Sequence, residues 1–218
     1  VARRRQVLPA VGLLKGDGEA AGTGFLVAPD LVLTASFVAG AWAARHGLDS
    51  LRFDTAVDPE TSRNTAIPVA EIIEIDEGTK LALLRLARPA KNAVPLPIAK
   101  AKQAPARNAK LYILGYPHPD MRVDQALRAA VFGGGLGTKR LAPGELLAAP
   151  ENQGDFSHDA FTIGGNAGSP VVALDTGVVI GVQHSGLVQH GLKIGYATAL
   201  WKLGNSKILR AVGRAARG

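Results

Sequence analysis

Residues 22–38 read GTGFLVAPDLVLTASFV, which is two short apolar runs on either side of a turn. The first run, residues 24–27, and the second, residues 31–34, each have the length and composition of a short β-strand. Ala28-Pro29-Asp30 lies between them and has the residue types of a turn. Two strands separated by about three turn residues form a hairpin. This segment therefore predicts an antiparallel β-hairpin.

The same alternation of short apolar segments and turns extends along the chain on both sides of this hairpin. We predict further strands at 7–14, 51–53, 67–75, 81–86, 110–115, 125–132, 145–148, 169–174, 178–182 and 192–197. Such a series is typical of all-β sandwiches and barrels. Residues 88–110 are rich in Pro, Ala and Lys, which indicates a linker. We therefore expect two β units of similar size, at about 7–90 and 108–198.

The carboxy-terminal residues, 199–216, have a different period. Apolar residues fall on one helical face and basic residues elsewhere, which predicts a basic amphipathic helix interrupted by Gly204-Asn205. A helix of this type lies on a membrane surface in some proteins. We expect it to pack on the β units instead.

Composition narrows the class of protein. The chain has 218 residues, no cysteine, and 25 Lys and Arg against 18 Asp and Glu, a net charge of +7. Disulfides and thiol nucleophiles are excluded, and we expect neither a membrane span nor a signal peptide in these residues. The Ala- and Arg-rich composition suggests a bacterial protein, either cytoplasmic or exported. The positive charge favours acidic partners, including nucleic acid.

Two further segments suggest a family. Residues 78–86 read GTKLALLRL and residues 164–172 read GGNAGSPVV. Together with residues 22–38 they resemble, in order and spacing, three segments of the bacterial trypsin-like (chymotrypsin-fold) serine peptidases. The resemblance spans nearly the whole chain. It implies a single peptidase domain over 1–218, built as all-β: two antiparallel six-stranded β-barrels with a carboxy-terminal α-helix and the active site between the barrels.

The resemblance places three residues at the positions of the catalytic triad, and none of them has the required chemistry. Phe37 stands at the imidazole position, Lys80 at the carboxylate position and Ala167 at the serine position. A phenyl ring accepts no proton, an ammonium inverts the charge, and alanine has no nucleophilic oxygen. We therefore predict no catalytic residue in this chain.

The resemblance also implies a substrate cleft. Gly165 and Ala167 occupy the positions whose backbone N–H groups form the oxyanion hole, and these donors do not depend on side chains. Phe161 stands where the family has the floor of its specificity pocket, so we expect a shallow pocket without trypsin-like preference. The other residues expected to line the cleft are Gly164, His184, Ser185 and Gly186.

Other motifs predict no ligand site. Residues 116–120 (YPHPD) and His158-Asp159 contain metal-ligating types, but their spacing does not put two histidines on one face. We expect solvated loops there and no metal. The glycine-rich residues 133–139 match neither phosphate-binding pattern and indicate a flexible loop. No cofactor is predicted.

These observations favour a catalytically inactive serine peptidase homologue, a pseudoprotease, that binds a protein or peptide as a scaffolding or regulatory module. One alternative is an active-type endopeptidase inactivated by engineering, at least at Ala167. A second alternative is a basic protein that binds polyanions.

Overall fold

The structure, a computed structural model, describes residues 7–58, 66–91, 93–133, 135–148, 154–189, 192–204 and 206–215. Within them the chain forms two closed antiparallel β-barrels of six strands each. A helix follows the second barrel near the carboxy terminus. The predicted fold class is confirmed.

The first barrel has the strand order β1-β2-β3-β6-β5-β4. Its strands are β1 (Val11–Gly16), β2 (Glu19–Ala28), β3 (Leu31–Ala35), β4 (Arg52–Asp54), β5 (Ile67–Asp76) and β6 (Leu81–Leu86). The hairpin predicted from residues 22–38 is β2–β3, in which Phe25 pairs with Leu33 and Leu26 with Val32. Buried aliphatic side chains and two buried rings, Phe25 and Phe53, fill this barrel.

The second barrel has the order β10-β11-β12-β9-β8-β7. Its strands are β7 (Lys110–Gly115), β8 (Arg140–Ala148), β9 (Asp155–His158), β10 (Pro170–Ala173), β11 (Val179–Gln189) and β12 (Leu192–Ala199). β9 was not predicted, and β8 begins earlier than the predicted 145–148. A smaller cluster around Phe156 and Trp201 forms the core of this barrel.

Three helices accompany the strands in the described part of the chain: α1 (Ser36–His46), α2 (Gln125–Phe132) and α3 (Lys207–Ala215). The predicted carboxy-terminal helix is divided into a 3-10 turn, Leu200–Lys202, and α3. α3 packs on β5 and β6 of the first barrel and buries Ile208 and Ala211 there. No helix among these is long and apolar enough to cross a membrane.

The strand predicted at 125–132 is wrong, because these residues form α2. The Asp124 side chain accepts a hydrogen bond from the Leu127 N–H at 3.1 Å and so caps the first turn. This cap satisfies a backbone donor that a helix would otherwise leave open. No residue of α2 is fully buried, so the segment lacks the buried face that a barrel strand would have.

Two side chains from the second barrel connect it to the first. The Tyr116 hydroxyl donates to the Ala56 carbonyl at 2.5 Å. Lys139 Nζ donates to the Leu8 carbonyl at 2.6 Å and the Thr55 carbonyl at 2.7 Å. Lys139 therefore does not belong to a flexible loop, as its place in residues 133–139 had suggested. It is buried and links the barrels.

The buried position of Lys139 predicts a pH-dependent stability. Burial lowers the pKa of Lys139 to about 8, against the smaller opposing effect of Asp54. Between about pH 8 and 10 Lys139 is therefore more protonated in the unfolded chain, and its contribution to the free energy of unfolding rises with pH there, by at most about 1.4 kcal/mol per pH unit. Denaturant unfolding at a series of pH values should show a more positive slope in the chain than in Lys139→Met. The exposed control Lys102→Met should keep it, and equal slopes for Lys139→Met and the chain would contradict the assignment.

Candidate functional site

The fold brings the three triad positions together between the barrels. Phe37 lies in the first turn of α1, Lys80 in the turn before β6, and Ala167 in the loop that leads to β10. The Ser36 N–H donates to the Lys80 carbonyl at 2.9 Å, which fixes the start of α1 against that turn. The Thr23 N–H donates to the Ala167 carbonyl at 2.8 Å, which fixes the loop against β2.

Phe37 and Ala167 border a cleft of about 230 Å³. The other residues that the sequence placed at the cleft also line it, namely Gly164, Gly165, His184, Ser185 and Gly186. The ring of Phe161 instead contacts Phe132 of α2, with 5.9 Å between centroids. Its neighbours Thr162 and Ile163 face the cleft where Phe161 had been expected.

Phe37 is an exposed apolar side chain at this cleft, with 49% of its surface accessible. Its neighbour Ser36 is buried and donates from Oγ to Glu77 Oε2 at 2.7 Å. Ser36 is thus committed to a structural contact and its hydroxyl does not face a substrate. The helix start presents a phenyl ring where proton transfer would require an imidazole.

Lys80 is neutralised from the opposite barrel. Its Nζ contacts Asp155 Oδ2 at the start of β9, and the two form an ion pair between the barrels. The Thr198 hydroxyl donates to the Thr79 carbonyl at 2.9 Å and fixes the adjoining turn. Lys80 stands where the family has a carboxylate, and the carboxylate that balances its charge is Asp155, at a different position. Asp155 had not been predicted as a site residue.

His184 connects this ion pair to the cleft. Its Nε2 lies 3.4 Å from Asp155 Oδ1, and its Nδ1 lies 2.9 Å from Ser185 Oγ. Burial lowers the pKa of His184, Asp155 opposes this effect, and Lys80 adds to it. The imidazole is therefore neutral near pH 7 and is a weak base. Ser185 contacts His184, and His184 contacts Asp155, so these three have the residue types of a hydrolase triad. The carboxylate of Asp155, however, is shared with Lys80.

The two backbone N–H groups that the resemblance assigns to an oxyanion hole lie in this loop. Among the residues that the structure describes, no acceptor is hydrogen-bonded to the N–H of Gly165 or of Ala167. Their carbonyls are occupied, since the Thr23 hydroxyl and the Thr23 N–H donate to them at 2.8 Å. Gly165 has φ of 84°, and a Cβ there would lie 2.2 Å from the Tyr116 carbonyl oxygen, so only glycine fits. Two open N–H groups beside a cleft can bind an oxyanion.

The far side of the cleft is charged, which had not been predicted. Asp120 Oδ1 accepts from Arg122 Nε at 2.9 Å, and Asp120 Oδ2 accepts from Arg122 Nη2 at 2.9 Å and from the Gly164 N–H at 3.0 Å. These bonds, chiefly those from Arg122, lower the pKa of Asp120 to about 2. Lys193 of β12 lines the same region. Its pKa is lowered by burial.

The expectation of solvated loops at residues 116–120 and His158-Asp159 holds for Pro119 and Asp159, which are exposed, and is wrong for their neighbours. Tyr116 and His158 have no accessible surface, and Asp120 has 6%. The Nε2 of His158 lies 2.6 Å from Gln183 Oε1, behind the cleft. Within the described ranges, no group of three or more His, Asp or Glu side chains is arranged to hold a metal ion.

The inter-barrel ion pair predicts an asymmetry between substitutions at position 80. Lys80→Ala removes a partly exposed pair and should lower the free energy of unfolding by about 1 kcal/mol or less. Lys80→Asp places a second carboxylate beside Asp155 and should be more destabilising, with part of the loss recovered by adding Asp155→Asn. Urea unfolding of these variants measures the difference. Lys102→Asp, the same change at an exposed lysine, should be near neutral, and equal stability of Lys80→Ala and Lys80→Asp would refute the pairing.

Comparisons with known proteins agree with this geometry. A family model described as trypsin-like peptidase domain matches residues 22–182. The chain is similar to the Rv3671c protease of M. tuberculosis, solved as a serine-to-alanine mutant in an inactive form, with 18% identity, a TM-score of 0.63, and coverage of 97% of this chain and 89% of that chain.

A second structure of the Rv3671c protease in an inactive form gives 18% identity, a TM-score of 0.64, and coverage of 98% of this chain and 92% of that one. At this identity the likeness shows the fold alone. No curated protein matches the sequence. Because the family model covers most of the chain, including positions 37, 80 and 167, the chain belongs to the trypsin-like peptidase domain family.

Proposed function

We propose that this chain is a catalytically inactive trypsin-like peptidase whose cleft binds a protein or peptide segment, as a scaffolding or regulatory module. The observation that carries the proposal is the set of residues at the triad positions. Phe37, Lys80 and Ala167 lie together between the barrels with the surrounding backbone in place. The fold is kept while the reacting groups are absent.

Acyl transfer by the family route has no starting point in this cleft. Ala167 offers no oxygen to attack a carbonyl, and Phe37 accepts no proton. Loss of one member of such a triad lowers the rate by several orders of magnitude, and losses of members that act together are not additive. An engineered Ser-to-Ala change would account for position 167 only, so Phe37 and Lys80 argue against that alternative.

The open edge of β11 supports peptide binding. β10 pairs with β11 only as far as Val182, while Ser185, Gly186 and Leu187 pair with β12 on the other side. The stretch from His184 to Leu187 therefore has one backbone edge without a neighbouring strand among the described residues, beside the cleft. An extended peptide can add to such an edge through main-chain hydrogen bonds.

Exposed apolar side chains at the same place favour a peptide over a small polar ligand. Phe37 and Leu187 are both substantially exposed. The cleft, at about 230 Å³, is smaller than the roughly 300–1,000 Å³ of typical small-molecule sites. A groove with room for one side chain, next to an open strand edge, suits a segment that lies across the surface.

The absence of hydrolysis is testable by active-site labelling. The chain, Ala167→Ser and Ser185→Ala are treated with a fluorophosphonate probe and assayed for casein digestion, with trypsin as a positive control. We expect no labelling and no turnover in any of the three, because a serine restored at position 167 still faces Phe37. Activity at least about 10⁴-fold below that of trypsin is consistent with loss of the triad.

If the probe does label the chain, the same variants show where the label is attached. Labelling of the chain that disappears in Ser185→Ala would reveal a catalytic serine in β11 activated by His184, and the chain would then be an enzyme. Labelling of equal strength in the chain and in Ser185→Ala would indicate a contaminating protease. Mass spectrometry of the labelled band would identify it.

Peptide binding at the cleft is tested by filling it. Ala167→Trp should place an indole in the cleft and reduce binding of fluorescein-labelled random peptides by at least about tenfold, measured by fluorescence anisotropy. Ala44→Trp puts the same side chain on the exposed side of α1 and should leave binding unchanged. If Ala167→Trp folds with an unchanged circular dichroism spectrum and binds as well as the chain, the cleft is not the site.

A further inference from the structure

Lys193 lines the cleft, and its ammonium interacts with Asp120 only through the charge, without a hydrogen bond among the described residues. It lies on β12 and its side chain reaches back over the β11–β12 hairpin, because a Cβ at Gly186 would lie 3.5 Å from its Nζ. Among the described residues, no carboxylate or carbonyl is hydrogen-bonded to this ammonium. A half-buried ammonium that no protein acceptor occupies is available to donate to an acceptor on a ligand.

The nearby carboxylate is already committed. Both oxygens of Asp120 are used by the Arg122 guanidinium, and one also accepts the Gly164 N–H. Arg122 and Asp120 cancel one another, so the Lys193 charge is left in excess on this side of the cleft. On the other side, Lys80 is balanced by Asp155. Among the described side chains that line the cleft, Asp120, Arg122 and Lys193 are charged, so this lining has one positive charge in excess.

The loop adds further hydrogen-bond donors that have no acceptor among the described residues. The N–H groups of Gly165 and Ala167 are open, as described above, and both residues line the same cleft as Lys193. Backbone N–H groups and an ammonium are all donors, and together they favour an occupant rich in oxygen acceptors. A basic or purely apolar side chain would leave these donors unsatisfied and would place Lys193 in a still less polar environment.

We propose that the cleft selects a peptide segment with an acidic side chain, Glu or Asp, whose carboxylate accepts from Lys193 Nζ while its backbone lies along His184–Leu187 of β11. The inference rests on the proposed function, because it assumes a peptide occupant. The volume of about 230 Å³ has room for one such side chain. The positive net charge of the chain would further assist approach of an acidic segment.

Two pools of fluorescein-labelled random peptides test this inference. The pools are identical except for the central residue, which is Glu in one and Gln in the other. The chain should bind the Glu pool about tenfold more tightly than the Gln pool, as expected for one charge-assisted hydrogen bond in a partly desolvated site. In Lys193→Gln the two pools should bind within about twofold of each other, and in Lys193→Glu the order should reverse.

A matched control separates this effect from the overall charge. Lys102→Gln removes the same charge at an exposed lysine outside the cleft and should retain the preference for Glu. Thermal unfolding confirms that Lys193→Gln is folded. A Glu preference that survives Lys193→Gln overturns the assignment to Lys193, whether or not Lys102→Gln weakens it.

The outcomes also distinguish the two proposals. Equal binding of the Glu and Gln pools to the chain, blocked by Ala167→Trp, would leave peptide binding in place and refute acidic selection. Binding of neither pool would refute both. Competition by inorganic phosphate with the same affinity as the Glu pool would show that the site takes a free anion and would refute recognition of a peptide side chain.

Discussion

Thr23 uses every polar group that it has, and its N–H and hydroxyl hold the loop of the second barrel against the first. Its N–H donates to the Ala167 carbonyl at 2.8 Å, and its hydroxyl donates to the Gly165 carbonyl at 2.8 Å. The same hydroxyl accepts from the Tyr116 N–H at 3.2 Å, and the Thr23 carbonyl accepts from the Thr34 hydroxyl at 2.7 Å. Thr23 is fully buried, so these bonds are shielded from water. Gly165 and Ala167 are therefore both held by this one residue, Gly165 through its side chain and Ala167 through its backbone.

This arrangement is consistent with the loss of catalytic residues that we propose. The contacts that shape the cleft use the backbone and buried hydroxyls, whereas the triad positions contribute side chains at the surface of the cleft. Gly168 is an example of the first kind, because a Cβ there would lie 2.0 Å from the Thr23 carbonyl oxygen. Phe37 is a position of the other type, since its ring is exposed at the cleft while the N–H of its neighbour Ser36 fixes the helix start. Substitution of a side chain at the surface of the cleft changes its reactive groups and leaves the backbone contacts that shape the cleft in place.

The sequence predicted the parts of the structure that depend on neighbours along the chain. The β2–β3 hairpin follows from the apolar runs and turn of residues 22–38, and β6 and β7 were predicted to the residue. The segment at 125–132 was misjudged because the Asp124 cap, which makes it helical, is a single side-chain bond. Asp155 could not be predicted as the partner of Lys80, because 75 residues separate them and only barrel packing brings them together.

The same limit applies to the charge of the cleft, and it bears on what the cleft can recognise. The sequence alone does not show which charged side chains near the cleft form ion pairs, among them Lys80, Asp120, Asp155 and Lys193. Their pairing in the structure determines which charge is left unbalanced. Lys80 and Asp155 neutralise each other across the barrels, and Asp120 is occupied by its near neighbour Arg122. The ammonium of Lys193 is left beside Gly186, where an occupant of the cleft would meet it. In the inactive peptidase that we propose, selectivity would arise from such unbalanced groups, because they do not depend on the triad.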